Sequence, residues 1–218
     1  MSKRCQRLKT VYVVRHGETE SNIGGVIRGG AQTALTEKGR EQARLVADRC
    51  ARLSFDVIVA SPFLRTKETA ELIREKTGHA IEYSDLFTEW DRGASRIGMR
   101  TDDPALWAHN DALTENLKSG VRLADEENFD DLNLRAERAL EYLSNRPERA
   151  ILHVGHGLFS RILVGKALFG TDFSGRDAYH FVSNLITTNA GITVLELEER
   201  AGGTQWSLLT WNDFAHLG

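Results

Sequence analysis

The chain has 218 residues, 41% of them hydrophobic, with 28 basic and 31 acidic side chains and a net charge of −3. That length and apolar content suffice for one well-buried core, read as a single domain over residues 1–218. Basic residues are scattered rather than striped, which excludes a nucleic-acid backbone as partner. With no membrane-length apolar run and no secretory leader, a soluble cytoplasmic protein is expected.

In chain order, residues 11–14 (Val-Tyr-Val-Val) form a short apolar run read as a buried strand, and Arg15-His16-Gly17 follows directly. After a glycine-rich stretch, Thr36 is a plausible N-cap for a helix to about residue 53, with Ala43, Val46, Ala47 and Cys50 at helical spacing. Residues 56–60 read as a second buried strand. Ser61-Pro62 then reads as a cap followed by a proline at the first helical position, opening a helix to about residue 76. A third strand is expected around 80–83. Residues 84–125, long and rich in charge and tryptophan, are expected to be lid-like and partly helical around 104–117. A helix over 129–144 and an apolar strand over 150–154 lead to Gly155-His156-Gly157, which opens a helix over 158–169. Two last strands, 191–197 and 205–210, suggest a hairpin around Gly202-Gly203. The alternation of strand and helix predicts a three-layer α/β fold, a mainly parallel sheet with helices on both faces. Cys5 and Cys50 lack disulfide or metal spacing and read as free thiols.

Three strand-to-helix junctions carry reactive or anion-binding side chains: Arg15-His16-Gly17, Ser61-Pro62-Phe63-Leu64-Arg65 and Gly155-His156-Gly157. If their strands are parallel neighbours, all three open on one sheet edge, and two histidines and two arginines share a pocket. Helix N-termini there are expected to add free N–H donors. Arginine suits a tetrahedral dianion because its planar fork donates two hydrogen bonds and stays charged. A histidine beside it offers a nucleophilic nitrogen.

Five segments in this order resemble the histidine phosphatase superfamily, also called the phosphoglycerate mutase-like family. They are Arg15-His16-Gly17-Glu18-Thr19-Glu20-Ser21-Asn22, Leu35-Thr36-Glu37-Lys38-Gly39-Arg40-Glu41-Gln42-Ala43, Ser61-Pro62-Phe63-Leu64-Arg65-Thr66-Lys67-Glu68-Thr69-Ala70, Phe87-Thr88-Glu89-Trp90-Asp91-Arg92-Gly93 and Val154-Gly155-His156-Gly157. The resemblance implies a phosphoglycerate mutase-like fold and a phosphohistidine on His16. Arg15, Arg65 and His156 are then expected around the transferring phosphoryl group, and Glu89 as the general acid. Asn22 and Gly157 are implied phosphate contacts, and Arg28 is a candidate ligand at the entrance loop. No metal or cofactor is implied. The expected reaction is hydrolysis of a small phosphorylated metabolite; a phosphoglycerate mutase-type transfer and a protein-directed phosphatase are the alternatives.

Some readings stay open at this level. Glu82, Asp85 and Asp91 lie in the same acidic stretch as Glu89. Arg65 has Glu68 on its own helix face as a ready ion-pair partner. Arg92, Arg96 and Arg100 follow at four-residue spacing and either bind a second anionic group or pair with Asp91, Asp102 and Asp103. His153 lies within a strand and reads as a buried structural residue. The sequence sets no oligomeric state.

Overall fold

A computed structural model describes residues 6–27, 30–123 and 125–218. The six strands are β1 (Gln6–Arg15), β2 (Val57–Ala60), β3 (Ile81–Tyr83), β4 (Ala150–Gly155), β5 (Ile192–Arg200) and β6 (Gly203–Asp213). They form one sheet in the order β3-β2-β4-β1-β5-β6. The first four are mutually parallel; β5 runs antiparallel to β1, and β6 closes the edge as the expected hairpin.

Among the described residues, seven α-helices accompany the sheet: α1 (Glu20–Ile23), α2 (Glu37–Cys50), α3 (Leu64–Thr77), α4 (Pro104–Asn116), α5 (Phe129–Asn145), α6 (Gly157–Phe169) and α7 (Gly175–Asn184). Strand side chains alternate between two cores, as the period of two requires. Val14, Ile58, Ala60, Leu152 and Val154 pack with Val46, Ala47 and Cys50 of α2 and with Ala70 and Ile73 of α3. Val11, Val13, Val57, Val59 and Ile151 pack on the other face with α5 and α6, through residues such as Leu132, Leu143, Ile162 and Leu163. The three-layer architecture follows from this alternation.

The alternation also fixes the site. Ile58, Ile151 and Leu152 are fully buried, each contributing roughly 2 kcal/mol. A one-residue slip would turn such side chains to the opposite face, so register is strongly held. In the observed register Arg15 lies beside Gly155, and Ala60 beside Val154.

One helix start differs from expectation. Ser61 does not cap α3; the N-cap is Phe63, and the helix begins at Leu64. The Ser61 N–H continues the sheet by donating to Val154 O at 3.0 Å, so its backbone is still strand-like. Thr36 does cap α2, accepting from Gly39 N–H at 2.9 Å.

Candidate active site

The residues after β1, β2 and β4 start from one sheet edge, and the hydrogen-bond ladder runs one step past the strands: His16 N–H donates to Gly155 O at 3.0 Å. His16 is 3% exposed. Its Nδ1 lies 2.6 Å from Gly17 O. A carbonyl only accepts, so Nδ1 carries the proton and Nε2 keeps its lone pair. Arg65 Nε–H donates to that Nε2 at 3.1 Å. Burial, then the charges of Arg65 and Arg15, hold the His16 pKa well below the usual 6.5, so the ring is neutral.

The second and third motifs hold the loop that carries this ring. Gly17 N–H donates to Thr69 Oγ1 at 3.2 Å, and Glu18 N–H to Gln42 Oε1 at 2.8 Å. The Glu18 carboxylate accepts from Thr36 Oγ1 at 3.0 Å and pairs with Lys38 at 3.0 Å. A Cβ on Gly39 would lie 2.0 Å from Glu18 O, so only glycine lets α2 come this close. The first junction differs from the expected strand-to-helix turn: β1 leads into this braced loop, and α1 follows only at Glu20.

Arg65 is not paired with Glu68. Glu68 accepts Leu35 N–H at 2.6 Å and lies 3.6 Å from Arg40, while Arg65 donates to His16 and, through Nη1, to Gly30 O at 2.5 Å. Arg15 donates to Thr187 O, and its Nε is buried without a partner. A Cβ on Gly157 would stand 3.1 Å from that Nε, so the glycine makes room for the guanidinium. Burial lowers the Arg15 pKa to about 10, which leaves it charged at neutral pH.

His156 is 1% exposed, with its ring centroid 5.4 Å from that of His16. It does not face the cavity wall that His16, Arg15, Arg65, Asn22, Glu89 and Gly157 share. Its Nε2 lies 2.8 Å from Ser61 Oγ, and its Nδ1 is buried without a partner. Burial, then Arg65 and His16, push its pKa well below 6.5.

Glu89 sits at the N-terminus of α6. Its Oε1 accepts from Trp90 N–H at 2.9 Å and Phe159 N–H at 2.8 Å, and its Oε2 from Leu158 N–H at 3.1 Å. Asp85 and Asp91 also reach the cavity wall, whereas Glu82 is turned away to Arg146 at 2.7 Å. Asn22 Oδ1 accepts from Thr19 N–H at 3.0 Å and from Asn189 Nδ2 at 3.2 Å, which leaves its own amide hydrogens for a ligand. Arg28 lies outside the described residues.

The cavity measures about 840 Å³. Sequence reasoning missed three of its features. Arg161, one turn beyond Gly157 on α6, reaches the wall while bonded to Val182 O at 2.7 Å. Thr187 holds Arg15, and Asn189 donates to His16 O at 3.0 Å. Of the three arginines spaced four apart after Glu89, Arg92 and Arg96 reach the cavity, but Arg100 is exposed and makes a two-pronged pair with Asp102 at 2.8 and 2.7 Å. His153 is buried against Phe87 and bonded to Val59 O, as a structural residue. Among the described residues no helix is long and apolar enough to cross a membrane.

The sequence profile of the histidine phosphatase superfamily (branch 1) matches residues 11–214. The chain belongs to that superfamily. It is 32% identical over 213 residues to a probable phosphoglycerate mutase, GpmB, of Enterobacter sp. (strain 638), covering 95% of this chain and 94% of that protein. Among solved structures, Bacillus stearothermophilus YhfR superposes with a TM-score of 0.79 at 25% identity, covering 96% of this chain and 100% of that one. A mycobacterial glucosyl-3-phosphoglycerate phosphatase, solved with VO3, shares the fold with a TM-score of 0.77 at 23% identity, over 94% of this chain and 99% of that one. Superfamily members are phosphatases or mutases, and the motifs of this chain place His16, Arg15, Arg65 and Glu89 on the wall of one cavity, with His156 buried beside His16.

Proposed function

We propose that the chain is a metal-independent phosphatase that hydrolyses small phosphomonoesters through a phosphohistidine on His16. The observation that carries this reading is the His16 tautomer: the proton is held on Nδ1 by Gly17 O, and the Nε2 lone pair meets a guanidinium at the cavity wall. An incoming phosphoryl group draws Arg65 from Nε2 onto its own oxygens. Nε2 then attacks phosphorus and the bond to the ester oxygen breaks. The phosphoimidazolium that forms keeps its Nδ1–H on Gly17 O. Arg15 and Arg65 meet the equatorial oxygens, where the loss of one such partner costs about 3 kcal/mol of barrier, while His156 stays packed against the His16 ring with its Nε2 on Ser61.

Glu89 supplies the proton to the leaving oxygen. Its Oε1 already accepts two N–H groups and its Oε2 one, so the proton rides on the open lone pair of Oε2. Water then attacks phosphorus, the P–N bond breaks, and Glu89 takes the proton of the water. The size of the cavity suits a metabolite rather than a folded partner, and the phosphatase named above is a relative in fold with that chemistry in its name.

The mutase reading rests on the GpmB relative. It shares the first half-reaction and replaces water by a substrate hydroxyl in the second. The test follows products from p-nitrophenyl phosphate and from 3-phosphoglycerate given with bisphosphoglycerate, with and without EDTA. We expect inorganic phosphate equal to the alcohol formed, unchanged by EDTA, and a loss of about a thousandfold or more in His16→Ala. Isomerised phosphoglycerate without free phosphate would establish the mutase; chelator-sensitive turnover, or none from any phosphomonoester, would overturn the proposal.

A further inference from the structure

The cavity holds more positive charge than one phosphoryl group needs. Arg15 and Arg65 flank His16, and Arg92 and Arg96 stand on the wall contributed by the segment after Glu89. Neither Arg92 nor Arg96 makes a hydrogen bond or ion pair with another described residue, and the Nε of each is buried without a partner. Buried guanidinium donors are rarely left unpaired, because each forgoes the water bonds it had in the unfolded chain. The Arg92 guanidinium carbon lies 5.4 Å from the centroid of the Trp90 ring.

These two side chains do not hang from a loose loop. Asp91 N–H donates to Glu127 Oε2 at 2.8 Å, Glu127 N–H returns to Asp91 O at 2.9 Å, and Trp90 Nε1–H reaches Glu127 O at 2.9 Å. Arg135 clamps the Glu127 carboxylate at 2.8 and 2.6 Å. Gly93, at φ +77°, lies so close to Asp125 and Glu126 that a Cβ would stand 2.8 and 2.9 Å from them. The turn is therefore fastened to the start of α5 and presents two like charges four residues apart.

Most carboxylates nearby are already engaged. Glu89 accepts three N–H groups, Asp91 Oδ1 accepts Gly93 N–H at 3.0 Å and Asp125 accepts Ala94 N–H at 3.3 Å, whereas the buried Glu126 has only His109 at 3.4 Å and leaves its Oε2 without a partner. Glu89, Asp91 and Glu126 act on the Arg96 charge through space without pairing with it. Burial and the neighbouring Arg96 lower the Arg92 pKa to about 10, a cost that an anion between the two guanidinium groups would relieve. Arg100, in the same segment, shows the contrasting outcome: it is exposed and satisfied by Asp102.

We infer that Arg92 and Arg96 form a subsite for a second anionic group, so that the preferred substrates are phosphomonoesters bearing a further phosphate or carboxylate beyond the scissile ester. This deepens the phosphomonoesterase reading and rests on it for the position of the first phosphate.

The test measures binding, which does not depend on turnover. Calorimetric affinities of the wild-type chain are compared for alkane-α,ω-bisphosphonates, ω-phosphonocarboxylates and alkylphosphonates of equal length, with spacers of about two to six methylenes to match the cavity. We expect one spacer length at which the second anion tightens binding by about tenfold or more, with the bisphosphonate and phosphonocarboxylate series showing which anion is preferred. Arg92→Gln and Arg96→Gln should each remove most of that gain. Equal affinities for mono- and dianionic probes at every length, or a gain that survives in both variants, would overturn the subsite. Failure of the hydrolytic reading is separate, because it appears as absent turnover of simple phosphomonoesters whatever these affinities are.

Discussion

A single carbonyl decides what His16 can do. Gly17 O accepts the hydrogen bond of Nδ1–H, so the Nε2 lone pair is open before any substrate arrives, and the proposed attack needs no prior removal of a proton. Glu89 is set differently, at the first turn of α6, with three N–H groups on its oxygens. An acid in that place matters in proportion to how badly the leaving oxygen needs a proton. For Glu89→Gln we expect alkyl phosphate turnover to fall about a hundredfold more than that of p-nitrophenyl phosphate, read from kcat/KM on a leaving-group series. Equal losses across the series would remove Glu89 from the acid role and point to its reserves on the same wall, Asp85 and Asp91. The residues proposed to react were legible because each lies in a motif. Thr187, Asn189 and Arg161 were not, since nothing local in the sequence reveals that a chain segment some 170 residues away will brace Arg15 and His16.

At the scale of elements, α2 and α3 act as clamps on the loop that carries His16. Thr36, Gly39 and Gln42 belong to a motif that touches no reacting atom, yet they fix Glu18 and hence Gly17 and His16. We expect Gly39→Ala to cost about 1–3 kcal/mol in urea unfolding and to lower kcat beyond what its loss of folded protein explains. Gly202→Ala, in the β5–β6 turn with nothing within 4 Å of its Cβ, is the control and should stay within about 0.5 kcal/mol. A Gly39→Ala protein with normal stability and kcat would show that this contact can relax. Helix α2 was readable because its apolar spacing and its cap agree. The start of α3 was not, because Ser61-Pro62 has the composition of a cap while the backbone there still serves the sheet and the Ser61 hydroxyl serves His156. Helix α7 escaped notice although Ser174 and Asp177 form a capping box, since its ten residues carry only a short apolar stripe.

For the whole molecule, three buried histidines, His16, His153 and His156, are held neutral chiefly by burial. Their folded pKa values lie below the ordinary 6.5, so the unfolded chain binds more protons as pH falls through that value, and stability falls with it. His153 alone, lowered from 6.5 to about 4, removes about 3 kcal/mol across that window. The urea midpoint should therefore drop between about pH 7 and pH 4.5, above the range where carboxylates dominate; a flat midpoint would contradict the buried neutral state. The same burial keeps His16, the proposed nucleophile, unprotonated, which joins the stability of the fold to the proposed chemistry. The most direct measurement of that chemistry is a rapid acid-free quench of the wild-type chain with radiolabelled phosphomonoester, followed by peptide mapping. The account predicts an acid-labile, base-stable phosphoryl group on the peptide containing His16, absent in His16→Ala. Label on another residue, or hydrolysis at full rate in that variant, would contradict it.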